Sequence, residues 1–184
     1  MPVLVEGISA IIRKTTIEKK YPGGWASYAA DFSTCSTFCA DHNLACIAFM
    51  DVQDLHLFID RLISLGFKHI ENGTCSEIAV IDQVELFKKP CEWLELLRFK
   101  QPEMENFVIM CRLKDDDSTR LYTPNGWCYD NSLSSASGVI PAKQFRAHFK
   151  YLRHEMGHDV YLNDLTGEET FIRRVSTKLD SKEK

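Results

Sequence analysis

Hydrophobic residues come in short unbroken blocks over much of this chain, and one stretch keeps clear helical spacing. From Asp51, the run DVQDLHLFIDRLISLGF places Leu55, Phe58, Ile59, Leu62 and Leu65 on a single face, the i, i+3, i+4 pattern of an amphipathic helix. Asp51 is suited to cap its first turn, and Gly66 stands where a left-handed residue ends a helix. The blocks VLVEGISAIIR, LACIAFM and EIAVID are rich in β-branched and apolar residues and read as strands. Gly7 is the natural place for a bend in the first of them. Between the first two blocks, TTIEKKY predicts a short helix with Thr16 as its cap and Glu18 in its first turn. Pro22-Gly23-Gly24 interrupts it, and WASYAADF predicts a second.

Further along, Asn72-Gly73 lies between FKHIE and EIAVID and signals a hairpin turn. CEWLELLRF and NFVIMCRLK, joined by KQPEME, predict an antiparallel pair. Residues 114–117 and the stretch PNGWCYDNSLSSASG read as loops. Pro141 opens a last predicted helix, PAKQFRAHFKYLRHEM, whose buried face would be Phe145, Phe149, Leu152 and Met156. HDVYLNDLTGEETFIRRV then predicts a hairpin turning at 164–167. Strands bunched between two or three helices imply an α+β fold with a mostly antiparallel sheet and a C-terminal β-hairpin. The element order over 44–114 also resembles that of vicinal-oxygen-chelate and ferredoxin-like modules. Residues 1–175 are expected to form one domain, and 176–184 a frayed polar tail.

Composition narrows the classes. With 184 residues, 45% hydrophobic and 26% charged, the chain is long enough to bury a core without disulfide or metal staples. A net charge of -4 and a pI near 5.9 give no electrostatic pull toward nucleic acid or an anionic membrane. The opening MPVLVEGISAIIRK lacks the marks of a signal peptide, and no apolar run approaches the ~20 residues of a bilayer span. Seven cysteines, an odd number without an export signal, imply reduced thiols and a cytoplasmic setting.

One catalytic signature stands out. His154-Glu155-Met156-Gly157-His158 fits H-E-x-x-H, in which two histidines one helical turn apart hold zinc and the glutamate activates water. Asp164 falls where a third ligand belongs, six residues past the second histidine. On the predicted helix, however, His154 lies about 180° from Phe145 at ~100° per residue, on the solvent side. Gly157 is placed to end that helix before His158. A helix terminus is therefore the expected reading, and a zinc-dependent hydrolase with Glu155 as general base is the alternative.

Other constellations are weaker. Cys35, Cys39, His42 and Cys46 resemble a compact metal cluster, but not at the common C-x2-C spacing. Cys39 alone is a candidate reactive thiol. Glu77, Asp82, Glu92 and Glu95 lie on neighbouring predicted strands and could converge as acid and base. Trp25, Trp93 and Trp127, with Tyr122 and Tyr129, are candidates for lining a ligand pocket. No phosphate-binding loop, dinucleotide fingerprint or nucleophile elbow is present.

VEGISAIIRKTTIEKKYPGGW, CADHNLACIAFMDVQDLHLFIDRLISLGF and DVYLNDLTGEETF resemble segments of a family of small bacterial proteins with no established activity. The resemblance runs over most of the chain and its motifs are structural, so it implies no catalytic residue and no cofactor. Together these readings leave the enzyme question open and favour a soluble bacterial accessory domain that binds a small ligand or a protein. A homodimer formed through a sheet edge or the aromatic-rich surface is its expected assembly.

Overall fold

The computed structural model describes residues 1–83, 86–118, 120–137, 149–155, 158–163 and 169–173. Its first strand-like block is two strands. β1 (Val3–Val5) pairs antiparallel with β10 (Val108–Leu113), which pairs in turn with β9 (Leu94–Phe99). Two residues later β2 (Ile8–Arg13) belongs to a different sheet. The switch happens at Gly7, whose φ of 56° is left-handed and favours a residue without Cβ. A Cβ there would also come within 2.9 Å of the Phe49 carbonyl oxygen. The expected bend is thus a change of sheet.

The second sheet has five strands in the order β3 (Phe38–Ala40), β4 (Leu44–Phe49), β2, β7 (Ile78–Asp82) and β8 (Leu86–Phe87). Every pairing in it is antiparallel. Side chains alternate across a strand, and here both faces are covered. Ile8, Ala10, Ile12, Ala45, Ile47, Ile78 and Val80 face a core shared with helices. Ile11, Leu44, Cys46, Ala79 and Ile81 face a second core shared with Val3, Val5, Leu94, Ile109 and Cys111 of the three-stranded sheet. Helices, a five-stranded sheet and a three-stranded sheet therefore stack as layers. Burial on both faces is why the central strands read as continuous apolar blocks.

Three helices make the outer layer. α1 (Lys14–Lys20) continues directly from β2. Thr16, the expected cap, lies inside the helix and is buried; Arg13 holds the cap position without a side-chain bond. A tertiary bond replaces the cap, since the Lys14 N–H donates to the Asn43 carbonyl at 2.8 Å. α2 (Gly24–Phe32) carries Trp25, Tyr28 and Phe32 into an aromatic cluster with Tyr21, Phe38, Phe49 and Phe58. α3 (Val52–Ser64) is the helix the periodicity predicts, with Leu55, Phe58, Ile59 and Leu62 buried. The Asp51 carboxylate accepts from the Gln53 N–H at 2.7 Å, and Gly66 follows at φ 86°.

Asn72-Gly73, both left-handed, close a small hairpin of β5 (Ile70–Glu71) and β6 (Thr74–Cys75). β7 is not its partner, because β7 joins β2. The analogy for residues 44–114 also fails at the sheet level. β4 and β7 lie in one sheet, while β9 and β10 pair in another with β1. The predicted β9–β10 pair itself is present. After β10, a single tight turn at 129–131 and α4 (Leu133–Ser137) follow.

The last predicted helix requires a correction. Phe149–Glu155 form strand β11, which pairs with β12 (His158–Asn163), and β12 pairs with β13 (Glu169–Arg173). Tyr151 meets Tyr161 edge-on across the ladder at 5.6 Å, and Arg153 binds Glu169 through two nitrogens at 2.8 Å each. Cross-strand aromatic and ionic pairs of this kind stabilise sheets. The predicted closing strands are there; their turn at 164–167, residues 141–148, Met156, Gly157 and the polar tail lie outside the described residues. The class is α+β with mostly antiparallel sheets.

Candidate functional site

A cavity of about 310 Å³ opens between α3, the helix-facing side of the five-stranded sheet and the β5–β6 hairpin. Ile8, Val80, Leu55 and Ile59 supply its buried wall, and Val52 and Ile70 complete it. Leu55 and Ile59 lie one turn apart on the buried face of α3, so helical periodicity places them together. Ile8 and Val80 come from adjacent strands and point to the same layer. Ile70, on the hairpin, remains 37% exposed.

The opening of this cavity carries a different chemistry. His56, His69, Lys88 and Lys89 border it. Lys89 is exposed, while Lys88 reaches the buried Asp82 carboxylate at 3.3 Å. Burial, and then the neighbouring charge of His56, hold the His69 imidazole below its ordinary value, so it is neutral at pH 7. An apolar concavity with a few convergent polar groups at its mouth is the usual form of a small-molecule site.

A second, larger cavity of about 940 Å³ is polar. Arg13, Trp93, Cys75, Glu92 and Lys114 are among its walls, with the Arg13 guanidinium stacked 4.4 Å from the Trp93 ring. Of its acids, Asp116 is met by a cation. The Met1 ammonium pairs with Asp41 at 2.8 Å and with Asp116, and the Asp116 carboxyl is held below its ordinary value first by that contact. Cys75 borders both cavities.

The candidate tryptophans do not share one pocket. Trp25 packs on Tyr28 at 5.9 Å beneath the Lys14 ammonium, 3.9 Å from its ring. Trp93 lines the polar cavity and donates through Nε1 to the Cys75 carbonyl at 3.1 Å. Trp127 lies beside the Glu6 carboxylate. Nor do the four acids converge. Glu77 takes Lys20 at 2.6 Å, Asp82 takes Lys88, Glu95 takes Arg112 at 3.0 Å, and Glu92 lines the polar cavity. Cys39, the candidate reactive thiol, is buried in β3 opposite Cys46, and hydrogen bonding to Cys46 together with burial pushes its thiol well up.

For the histidine motif, the helical spacing that would join two rings on one ion is absent over 149–155. The ladder pairs 154 with 159 and 155 with 158. Glu155 is exposed and accepts from Arg153 at 2.9 Å, while Asp164 lies outside the described residues. Among the described residues, no group of three or more His, Cys, Asp or Glu side chains is arranged to hold a metal ion. No described helix is long and apolar enough to cross a membrane. Compared with known proteins, the chain matches no family model, no curated protein and no solved structure.

Sequence reasoning places Leu55 and Ile59 in the core but does not show that they border a void. Periodicity reports which residues turn inward, not whether the opposing layer fills the space. His56, His69 and Lys88-Lys89 escape it as well, because a basic rim is assembled from three separate elements. A Lys-Lys-Pro step just after the short, partly buried strand β8 is its one local signal.

Proposed function

We propose that this protein binds a small organic anion with an apolar body, held in the cavity between α3, β2, β7 and the β5–β6 hairpin. The observation carrying this reading is the contrast between wall and rim: aliphatic side chains inside, Lys88, Lys89, His56 and His69 at the mouth. An aliphatic tail gains about 25 cal/mol for each Å² removed from water. A carboxylate or sulfonate head at the rim meets cationic donors and stays solvated, so it escapes the cost of a buried unpaired charge. The binding is non-catalytic in this reading: the wall is aliphatic apart from Cys75, whose thiol is kept protonated by its contact with Cys91 and by burial.

Anilinonaphthalenesulfonate, a fluorescent anion with an apolar body, tests the site directly. It should bind saturably and be displaced by decanoate at least tenfold more readily than by decylamine. Leu55→Trp, which fills the cavity, should abolish both effects while leaving the circular dichroism of the protein unchanged. Equal displacement by the amine, or undiminished binding to the filled variant, would refute the proposal. Affinity should also rise as pH falls from mildly alkaline to about 6, because a bound anion favours the protonated form of His69.

A further inference from the structure

Beside the binding cavity, two thiols have been brought together by backbone pairing. Cys75 ends β6, and its N–H donates to the Pro90 carbonyl at 2.8 Å, so the segment carrying Cys91 runs alongside it. Trp93 closes the arrangement by donating to the Cys75 carbonyl at 3.1 Å. The Cys75 thiol faces the Cys91 sulfur and lies 3.6 Å from the Lys89 carbonyl oxygen. Cys91 is half-buried, and Cys75 borders the polar cavity.

The surroundings of Cys91 favour a thiolate. The Cys75 thiol and the backbone N–H groups of Trp93 and Leu94 lie at its sulfur, and the Arg13 guanidinium adds positive charge. These outweigh burial and bring the Cys91 thiol down to about 7, while the bond to Cys91, and then burial, keep Cys75 protonated. Low-lying thiolates beside a second thiol are the redox-sensitive kind. The interior thiols differ: Cys39 and Cys111 are buried and pushed well up.

We infer that Cys91 and Cys75 form an oxidisable pair, in which Cys91 reacts with a hydroperoxide and Cys75 resolves the product as a disulfide. The Cys91 thiolate attacks one peroxide oxygen, the O–O bond breaks, and the sulfur is oxidised to a sulfenic acid. With hydrogen peroxide the departing oxygen leaves as hydroxide and takes up the proton that Cys91 had lost, giving water. The Cys75 sulfur then attacks the sulfenic sulfur. The S–O bond breaks, the Cys75 proton leaves with the hydroxyl as a second water, and the S–S bond forms. Two electrons pass from the thiols to one peroxide.

The full chain is treated with hydrogen peroxide and digested without reduction. A peptide joining Cys75 to Cys91, lighter than its two parts by two hydrogens, is expected before any change at Cys128. In Cys75→Ser the sulfenic acid should persist on Cys91 and be captured by dimedone. As a separate readout on the wild type, iodoacetamide labelling of Cys91 should level off above about pH 7, where a free cysteine keeps accelerating toward about pH 8.5. Absence of the Cys75–Cys91 peptide, or a Cys91 profile that follows free cysteine, would overturn the inference.

Discussion

At Gly7 a single residue lets the chain leave one sheet and enter another. Its left-handed φ, and the 2.9 Å that would separate an added Cβ from the Phe49 carbonyl oxygen, impose two penalties on any side chain. Gly7→Ala should therefore lower stability by about 2 kcal/mol, from left-handed strain and the shift of β4 together. Gly66 is also left-handed, but nothing lies within 4 Å of its Cβ position, so Gly66→Ala should cost about half as much when both variants are compared by urea titration. His69 gives a pH-dependent counterpart. Its folded value is held below the ordinary 6.5, so the unfolded chain takes up this proton first. Its contribution is complete above about pH 6.5 and is lost as pH falls from there toward the folded value. The stability of the wild type relative to His69→Asn should be level above that pH and decline below it. A level difference throughout would show that His69 is not held neutral. At this scale the bend at Gly7 and the cap at Asp51 are legible in the sequence, because each needs a particular residue type. The reactive thiol is not. Cys39, the candidate, is buried, whereas Cys91 adds to its own local amides the partners Cys75 and Arg13, which only tertiary pairing supplies.

Among the elements, α3 is legible because cap, periodicity and terminating glycine agree along one stretch. Removing the first of these signals should show how much it contributes. Asp51→Ala leaves the Gln53 N–H without its acceptor and is expected to cost about 1 kcal/mol by thermal or chemical denaturation, with Asp51→Asn costing less. The stretch from Phe149 is the opposite case. Phe149, Leu152 and Met156 fall at helical spacing by coincidence, and the start and end signals at Pro141 and Gly157 do not make a helix of Phe149–Glu155. Its strand form depends on partners ten and more residues away, Tyr161 and Glu169, which periodicity cannot report. The H-E-x-x-H reading shares that dependence, since its geometry requires the helix. The β5–β6 hairpin is half legible. Asn72-Gly73 announces the turn, but the strands are too short for their pattern to identify the partner, and EIAVID is free to join β2 instead. The same limitation hides the candidate cavity, whose fourth side is that hairpin.

For the whole molecule, the decisive arrangement is one sheet serving two cores. β2, β4 and β7 send alternate side chains into the helical layer and into the three-stranded layer. Packing in each core is separate, yet both depend on the same hydrogen-bonded strands. Truncations confined to different cores should therefore act independently on energy. Leu62→Ala, under α3, and Ile109→Ala, on β10, remove buried side chains on opposite sides of the sheet, at about 2–5 kcal/mol each. Their effects should add within about 0.5 kcal/mol. Phe49 and Phe58 share one core with ring centroids 5.2 Å apart, so Phe49→Ala combined with Phe58→Ala should depart from additivity by more than that. Cooperativity should nevertheless be common to both layers. Far-ultraviolet circular dichroism and Trp fluorescence should report one transition at one urea concentration in Ile109→Ala, because loss of the three-stranded layer exposes Ile11, Leu44 and Ile81 on strands that the helices also need. Two separated transitions in that variant would mean that the helical layer and the five-stranded sheet hold without the outer sheet, and that the shared strands do not couple the cores.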